Sequence, residues 1–255
     1  MFPLRDHNPS GRTPLVTYLL VGANVVIFLV YWLGLGSDRA IAEFFLYWGL
    51  VPARISYGEG YVTFVTSMFL HGGWLHLLGN MLFLWIFGDN LEDRMGYGRF
   101  AAFFLASGLA AAGLQYVADP QSMVPMVGAS GAIAGVMGGY LLLYPRARVD
   151  VLFIFIIFFR IFPIPAWIVL GLWFGMQVFG GLSTPTDAGG VAYLAHVGGF
   201  VAGLALAVPL WLRAGGPAFW QVTAGKPPHP EAVYPMQRTS VPRVNRRKGE
   251  RGPWG

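Results

Sequence analysis

Cysteine is absent from the 255 residues, and charge is scarce, with only 11% of the chain Asp, Glu, Lys or Arg. Without cysteine there is no disulfide, no thiolate metal site and no cysteine nucleophile. A soluble domain carries about 25% charged residues, so a chain with 11% cannot give a globule a water-compatible surface. The hydrophobic share of 55% excludes disorder over the whole chain, because that much apolar surface favours burial. A nucleic-acid partner is not expected either. Up to residue 214 ten Lys/Arg face ten Asp/Glu, and from residue 215 seven face two, so the net charge of +5 sits in one tail.

What is present is glycine, at 35 residues, and aromatic side chains, at 16%. Small residues let membrane helices approach closely, and aromatic rings favour the membrane interface. The expected fold is all-α, a polytopic membrane bundle of six transmembrane helices at about 14–35, 66–87, 100–117, 127–144, 164–182 and 190–212. About 20 apolar residues suffice to cross a ~30 Å hydrocarbon core. The first span lacks a clear small-residue cleavage site and is read as retained rather than as a signal peptide. Three regions follow: a cytoplasmic segment 1–13, a membrane domain 14–213, and a disordered basic cytoplasmic tail 214–255, rich in Pro, Gly and Arg.

Between the spans, 36–62 reads as a long interfacial loop, 89–94 as a charged connector and 151–160 as an interfacial segment. With the N-terminus in the cytoplasm, Arg5, Arg12, Arg94, Arg99, Arg146, Arg148, Arg213 and the tail lie inside, and only Arg39 and Arg54 outside. Lys/Arg asymmetry therefore places both termini in the cytoplasm. Arg246, Arg247 and Lys248 suit contact with anionic lipid headgroups, a solubilising tail being the plain alternative.

Strong polar groups are rare in the spans, and ionisable groups there usually face the bundle interior or a wet cavity. Three sites stand out: His76 with Asn80, Ser130, and His196. All three fall in the outer halves of spans that run from outside to inside, which points to one shared site. His76 and Asn80, four apart, share a helix face. Gly131 and Gly135, like Gly199 and Gly203, are four apart and permit close backbone approach. If those faces pack, Ser130 and His196 come within hydrogen-bond reach. A serine hydroxyl is a weak nucleophile until a base takes its proton, and neutral histidine is the natural base near pH 7. Asn80, His76 and the backbone N–H of Ser130 are candidate donors to an oxyanion. No Asp or Glu inside a span is placed to orient His196, and Asp187 lies in the preceding loop, so a dyad is expected rather than a triad. His71 reads as an interfacial residue, and His7 and His229 as inert residues of the tails.

At these residues the chain resembles the rhomboid intramembrane serine proteases. The resemblance rests on His71-Gly-Gly-Trp-Leu-His76-Leu-Leu-Gly-Asn80, on Gly128-Ala-Ser130-Gly131, and on Ala195-His196-Val-Gly-Gly199-Phe-Val-Ala-Gly203, in the family's order. It implies Ser130 as nucleophile, His196 as general base, and His76 and Asn80 as oxyanion donors. It implies transmembrane protein substrates, cut near the outer face at a small residue after local unwinding, with no metal or organic cofactor. It also suggests a bacterial plasma membrane. Two positions depart from the family pattern: Ala134 stands where many members carry an aromatic residue, and Trp48 and Arg54 do not form the usual Trp-Arg pair. A silent rhomboid-like binder of membrane clients and a His-lined transporter are the competing readings. The first needs none of the four polar residues, and the second needs a polar route across the inner halves of the spans, which are apolar.

Overall fold

The computed structural model describes residues 2–155, 158–184 and 190–232. Its bundle is built from α1 (Leu15–Gly34), α5 (Trp74–Met95), α6 (Tyr97–Ala118), α7 (Ser130–Leu143), α8 (Ala166–Ser183) and α9 (Tyr193–Arg213). Between α1 and α5 lie the short helices α2 (Asp38–Trp48), α3 (Pro52–Ser56) and α4 (Thr63–Thr66), then a 3-10 turn at Ser67–Phe69. The interfacial loop expected at 36–62 is thus largely helical. A three-stranded antiparallel sheet, β1 (Phe2–Asp6), β2 (Arg148–Phe155) and β3 (Phe158–Pro165), has strand order β1-β2-β3.

The chain is a polytopic helical membrane protein. Among the described residues α1, α6, α8 and α9 are each long and apolar enough to cross a membrane. The Thr63–Phe69 segment and α5 together make a fifth such unit, bent by 95°. The remaining apolar helix, α7, has 14 residues, or about 21 Å at 1.5 Å per residue. It need not match the bilayer, because from Gly131 to Tyr140 every residue is buried against its neighbours.

Glycine sets how those neighbours approach. A Cβ on Gly199 would collide with the carbonyl oxygen of Gly131, one on Gly203 with that of Gly135, and one on Gly138 with that of Phe200. Backbone meets backbone along the whole α7–α9 contact, as the small-residue spacing implies.

Three expectations need correction. The charged stretch 89–94 is not a connector but the last turns of α5, which ends at Gly96 with φ +78°. Its charge is tolerated because it has partners. Glu92 accepts from the Val16 N–H (2.8 Å), the Thr17 N–H (2.7 Å) and the Thr17 hydroxyl (2.7 Å), satisfying donors that the first turn of α1 leaves open. Second, the described part of 151–160, residues 151–155 and 158–160, is extended in β2 and β3, where aromatic and β-branched residues favour that backbone. Third, order continues past residue 214. α10 (Pro217–Thr223) buries Phe219, and Trp220 donates to the Leu142 carbonyl at 2.9 Å. Apolar anchors outweigh the Pro/Gly composition there. Residues 233–255, including Arg246–Lys248, lie outside the described residues.

The tail histidines are not idle either. His7 pairs with Asp150 at 2.6 Å and His229 with Asp93 at 2.8 Å. Next to them Asp6 accepts from Asn90 Nδ2 (2.8 Å) and the Tyr140 hydroxyl (3.0 Å). Burial pushes the Asp6 carboxyl up to about 6 from 3.8, against the hydrogen bonds from Tyr140 and Asn8 that lower it. Between those values the folded chain holds a proton that the unfolded chain has lost. The associated stability is complete below about pH 4 and is lost as pH rises through about 6. In detergent melting from pH 4 to 7, the difference in stability between wild type and Asp6→Asn should change across this window by about 3 kcal/mol. A difference independent of pH would exclude this role for Asp6.

Candidate active site

Ser130 is the first residue of α7, following Gly128 and Ala129. Gly128 has φ +132°, and a Cβ there would lie 2.8 Å from His76 Nε2 and 3.4 Å from Ser130 Oγ. Only glycine leaves that space open and adopts that backbone without strain. The Gly128 N–H donates to the Ser67 carbonyl at 2.9 Å, which fixes the turn before the helix. Placing Ser130 at a helix N-terminus also leaves its own N–H without an intrahelical acceptor.

His196 lies in the first turn of α9, and its Nε2 is 2.7 Å from Ser130 Oγ. The glycine-mediated approach of α7 and α9 makes this possible, since any larger residue at 199 or 203 would hold the helices apart. His76 and Asn80 occupy successive turns of α5 on the same face and line a cavity of about 570 Å³ with Ser130 and His196. The Gly72 N–H donates to His76 Nδ1 at 3.2 Å. Asn80 is 7% exposed, and its Nδ2 has no hydrogen-bond partner among the described residues. An unmet buried donor costs about 1–3 kcal/mol, so an unpaired amide beside the cavity suits a group that arrives with the substrate.

All four residues singled out from sequence therefore meet at one cavity. His71 lies just before α5. It is fully buried, and its backbone is locked by Tyr31, whose hydroxyl donates to the His71 carbonyl (2.6 Å) and accepts from its N–H (2.8 Å). Asp187 lies outside the described residues. Among the described residues no group of three or more His, Asp or Glu side chains converges as a metal site requires.

Two contacts to His196 have no counterpart in the sequence reading, and both come from α8. Gln177 Oε1 is 2.8 Å from His196 Nδ1, and the Trp173 ring lies 5.7 Å from the imidazole at 35°. The aromatic surface beside the histidine is thus supplied by α8, while Ala134 is buried within α7. The only signal in the sequence is one polar side chain in an otherwise apolar span, four residues after a tryptophan.

A family model described as the Rhomboid domain matches residues 58–213, more than half of the chain, and those residues contain the entire cavity wall just described. The chain belongs to the rhomboid family. The chain is similar to Rhomboid protease GluP of Bacillus subtilis (strain 168), 32% identical over 197 residues, which are 77% of this chain and 36% of that protein. It is also similar to Rhomboid protein 1, mitochondrial, of Saccharomyces cerevisiae, 29% identical over 195 residues, 74% of this chain and 51% of that protein. RHOMBOID-like protein 5 of Arabidopsis thaliana is 39% identical over 77 residues, 30% of this chain and 25% of that protein. The chain spans between about a quarter and a half of the length of these relatives.

Proposed function

We propose that the chain is an intramembrane serine endopeptidase that works with a Ser130–His196 dyad. The observation that carries this reading is the 2.7 Å approach of His196 Nε2 to Ser130 Oγ at a cavity wall that also holds an unpaired Asn80 amide. Membership of a family whose relatives include proteins named as rhomboid proteases supports it.

In the proposed reaction Ser130 Oγ attacks the scissile carbonyl carbon while His196 Nε2 takes the hydroxyl proton. The carbonyl oxygen becomes an oxyanion facing Asn80 Nδ2, with His76 and the Ser130 N–H as further donors. As the C–N bond breaks, His196 returns that proton to the leaving amine. A water molecule, deprotonated by His196, then attacks the acyl ester; the bond to Ser130 Oγ breaks, Oγ takes the proton back from His196, and the new carboxyl end leaves. The substrate is a transmembrane segment of another protein, cut near the outer face at a small residue after its helix unwinds locally. The cavity lined by α5, α7 and the segments leading into α7 and α9 is where such a strand would be admitted.

The same reading takes both termini as cytoplasmic and the host membrane as a bacterial plasma membrane. Of the basic residues before the tail, Arg39 and Arg54 sit on α2 and α3, apart from the sheet and its arginines. The reading is tested by a fluorophosphonate probe on the detergent-purified chain. Labelling should occur in wild type and vanish in both Ser130→Ala and His196→Ala. Absence of labelling in a folded wild-type chain would instead favour a silent binder of membrane clients.

Asn80→Ala gives a graded check on the oxyanion role. Removing one such donor typically lowers kcat by about 10²–10³. Because that bond strengthens as charge develops on the oxygen, KM should hardly change. A variant with raised KM and unchanged kcat would place Asn80 in substrate binding alone.

A further inference from the structure

A serine–histidine pair works only if the nitrogen facing the hydroxyl is unprotonated. Neutral imidazole carries its one proton on either nitrogen, and with the proton on Nε2 the ring would donate to Ser130 and could not serve as its base. We propose that Gln177 is the positioning residue that holds His196 in the productive Nδ1–H tautomer. The proposal rests on the protease reading above, and Gln177 acts through His196 without touching substrate.

The assignment follows from a chain of donors and acceptors. Gln177 Nε2 lies 3.4 Å from the Trp173 carbonyl, one turn earlier on α8. A backbone carbonyl can only accept, so the amide –NH₂ faces it and the amide oxygen faces the other way. That oxygen, Oε1, is 2.8 Å from His196 Nδ1. An amide oxygen also only accepts, so Nδ1 has to carry the proton. Nε2 then presents its lone pair to Ser130 Oγ at 2.7 Å. Gln177 is only 8% exposed, which leaves little room for water to compete. Trp173, on the same face of α8, flanks the imidazole and limits its rotation.

An amide also suits the surroundings better than a carboxylate. An ionised Asp or Glu in an apolar span is costly to insert, whereas a neutral glutamine, its amide paired here with His196 and the Trp173 carbonyl, costs less. When Ser130 gives up its proton, Nε2 gains it and Nδ1 keeps its own. The bond to Gln177 Oε1 therefore persists and strengthens, because its donor is now cationic. The dyad is completed by a neutral third residue from a different helix.

The test uses the full-length detergent-purified chain, with ¹⁵N NMR of histidine side chains and steady-state cleavage of a single-span substrate. In wild type, His196 should show the Nδ1–H tautomer. Gln177→Leu, similar in volume but without an acceptor, should lose that single tautomer, and kcat should fall at least roughly 10- to 100-fold, the loss seen when the hydrogen-bond partner orienting a metal-bound histidine is removed. KM should not change. Gln177→Glu restores an acceptor and should recover most of kcat, which a purely structural role would not predict. An Nε2–H tautomer in wild type, or wild-type kcat in Gln177→Leu, overturns the proposal. Should Ser130→Ala cleave as well as wild type, the protease reading falls separately, and the tautomer measurement still decides what Gln177 does.

Discussion

Ser130→Ala should abolish cleavage of a single-span substrate, with kcat reduced at least about 10⁴-fold. Losses of that order are typical when a nucleophile is removed and only binding and oxyanion stabilisation remain. The substitution deletes one oxygen from the wall of a cavity and leaves the α7 packing untouched. Stability in detergent should therefore stay close to wild type, which separates lost chemistry from lost fold. His196→Ala should cost about as much, and the double variant little more, because the two groups act as a unit. Equal cleavage by wild type and Ser130→Ala would mean that the nucleophile lies elsewhere or that a contaminant cleaves the substrate.

The second large effect concerns folding. Gly203→Val should destabilise the chain by about 3 kcal/mol or more and remove fluorophosphonate labelling. A side chain at 203 meets the carbonyl oxygen, carbonyl carbon and Cα of Gly135, all backbone atoms that cannot rotate aside. Overpacking against side chains that can adjust already costs about 1–3 kcal/mol. The strain can be relieved only if α9 moves off α7. His196 lies on the same helix two turns earlier and would be carried away from Ser130. Gly113→Val on α6 is the matched control, since nothing lies within 4 Å of the added Cβ. It should leave both stability and labelling near wild type. Equal effects at the two positions would mean that helix propensity, not close approach, governs these glycines.

Much of the fold and the site is legible in the amino-acid sequence alone. Span positions depend on the transfer free energy of about 20 consecutive residues, a local sum, and 14–35, 100–117, 164–182 and 190–212 each overlap a long apolar helix of the bundle. The site is legible for a related reason. Polar groups are so disfavoured in apolar spans that His76, Asn80, Ser130 and His196 stand out, and the four line one cavity. The glycine spacing on α7 and α9 then indicates which faces meet, and the close backbone contacts follow that spacing.

Only the tertiary structure decided the rest, because each feature that the sequence leaves hidden depends on a partner distant along the chain. Residues 89–94 look like a loop by charge, yet they are helical because Glu92 caps α1, 75 residues away. The strand Phe2–Asp6 forms because β2 offers an edge near residue 150. α10 is ordered because Trp220 reaches the end of α7. Gln177 is one neutral amide in an apolar helix, and composition assigns it nothing. It acquires a partner only where α8 lies against α9 and turns its amide oxygen toward His196. Hydropathy and spacing report what a residue costs in its own segment, whereas a hydrogen bond between helices is a property of two segments at once.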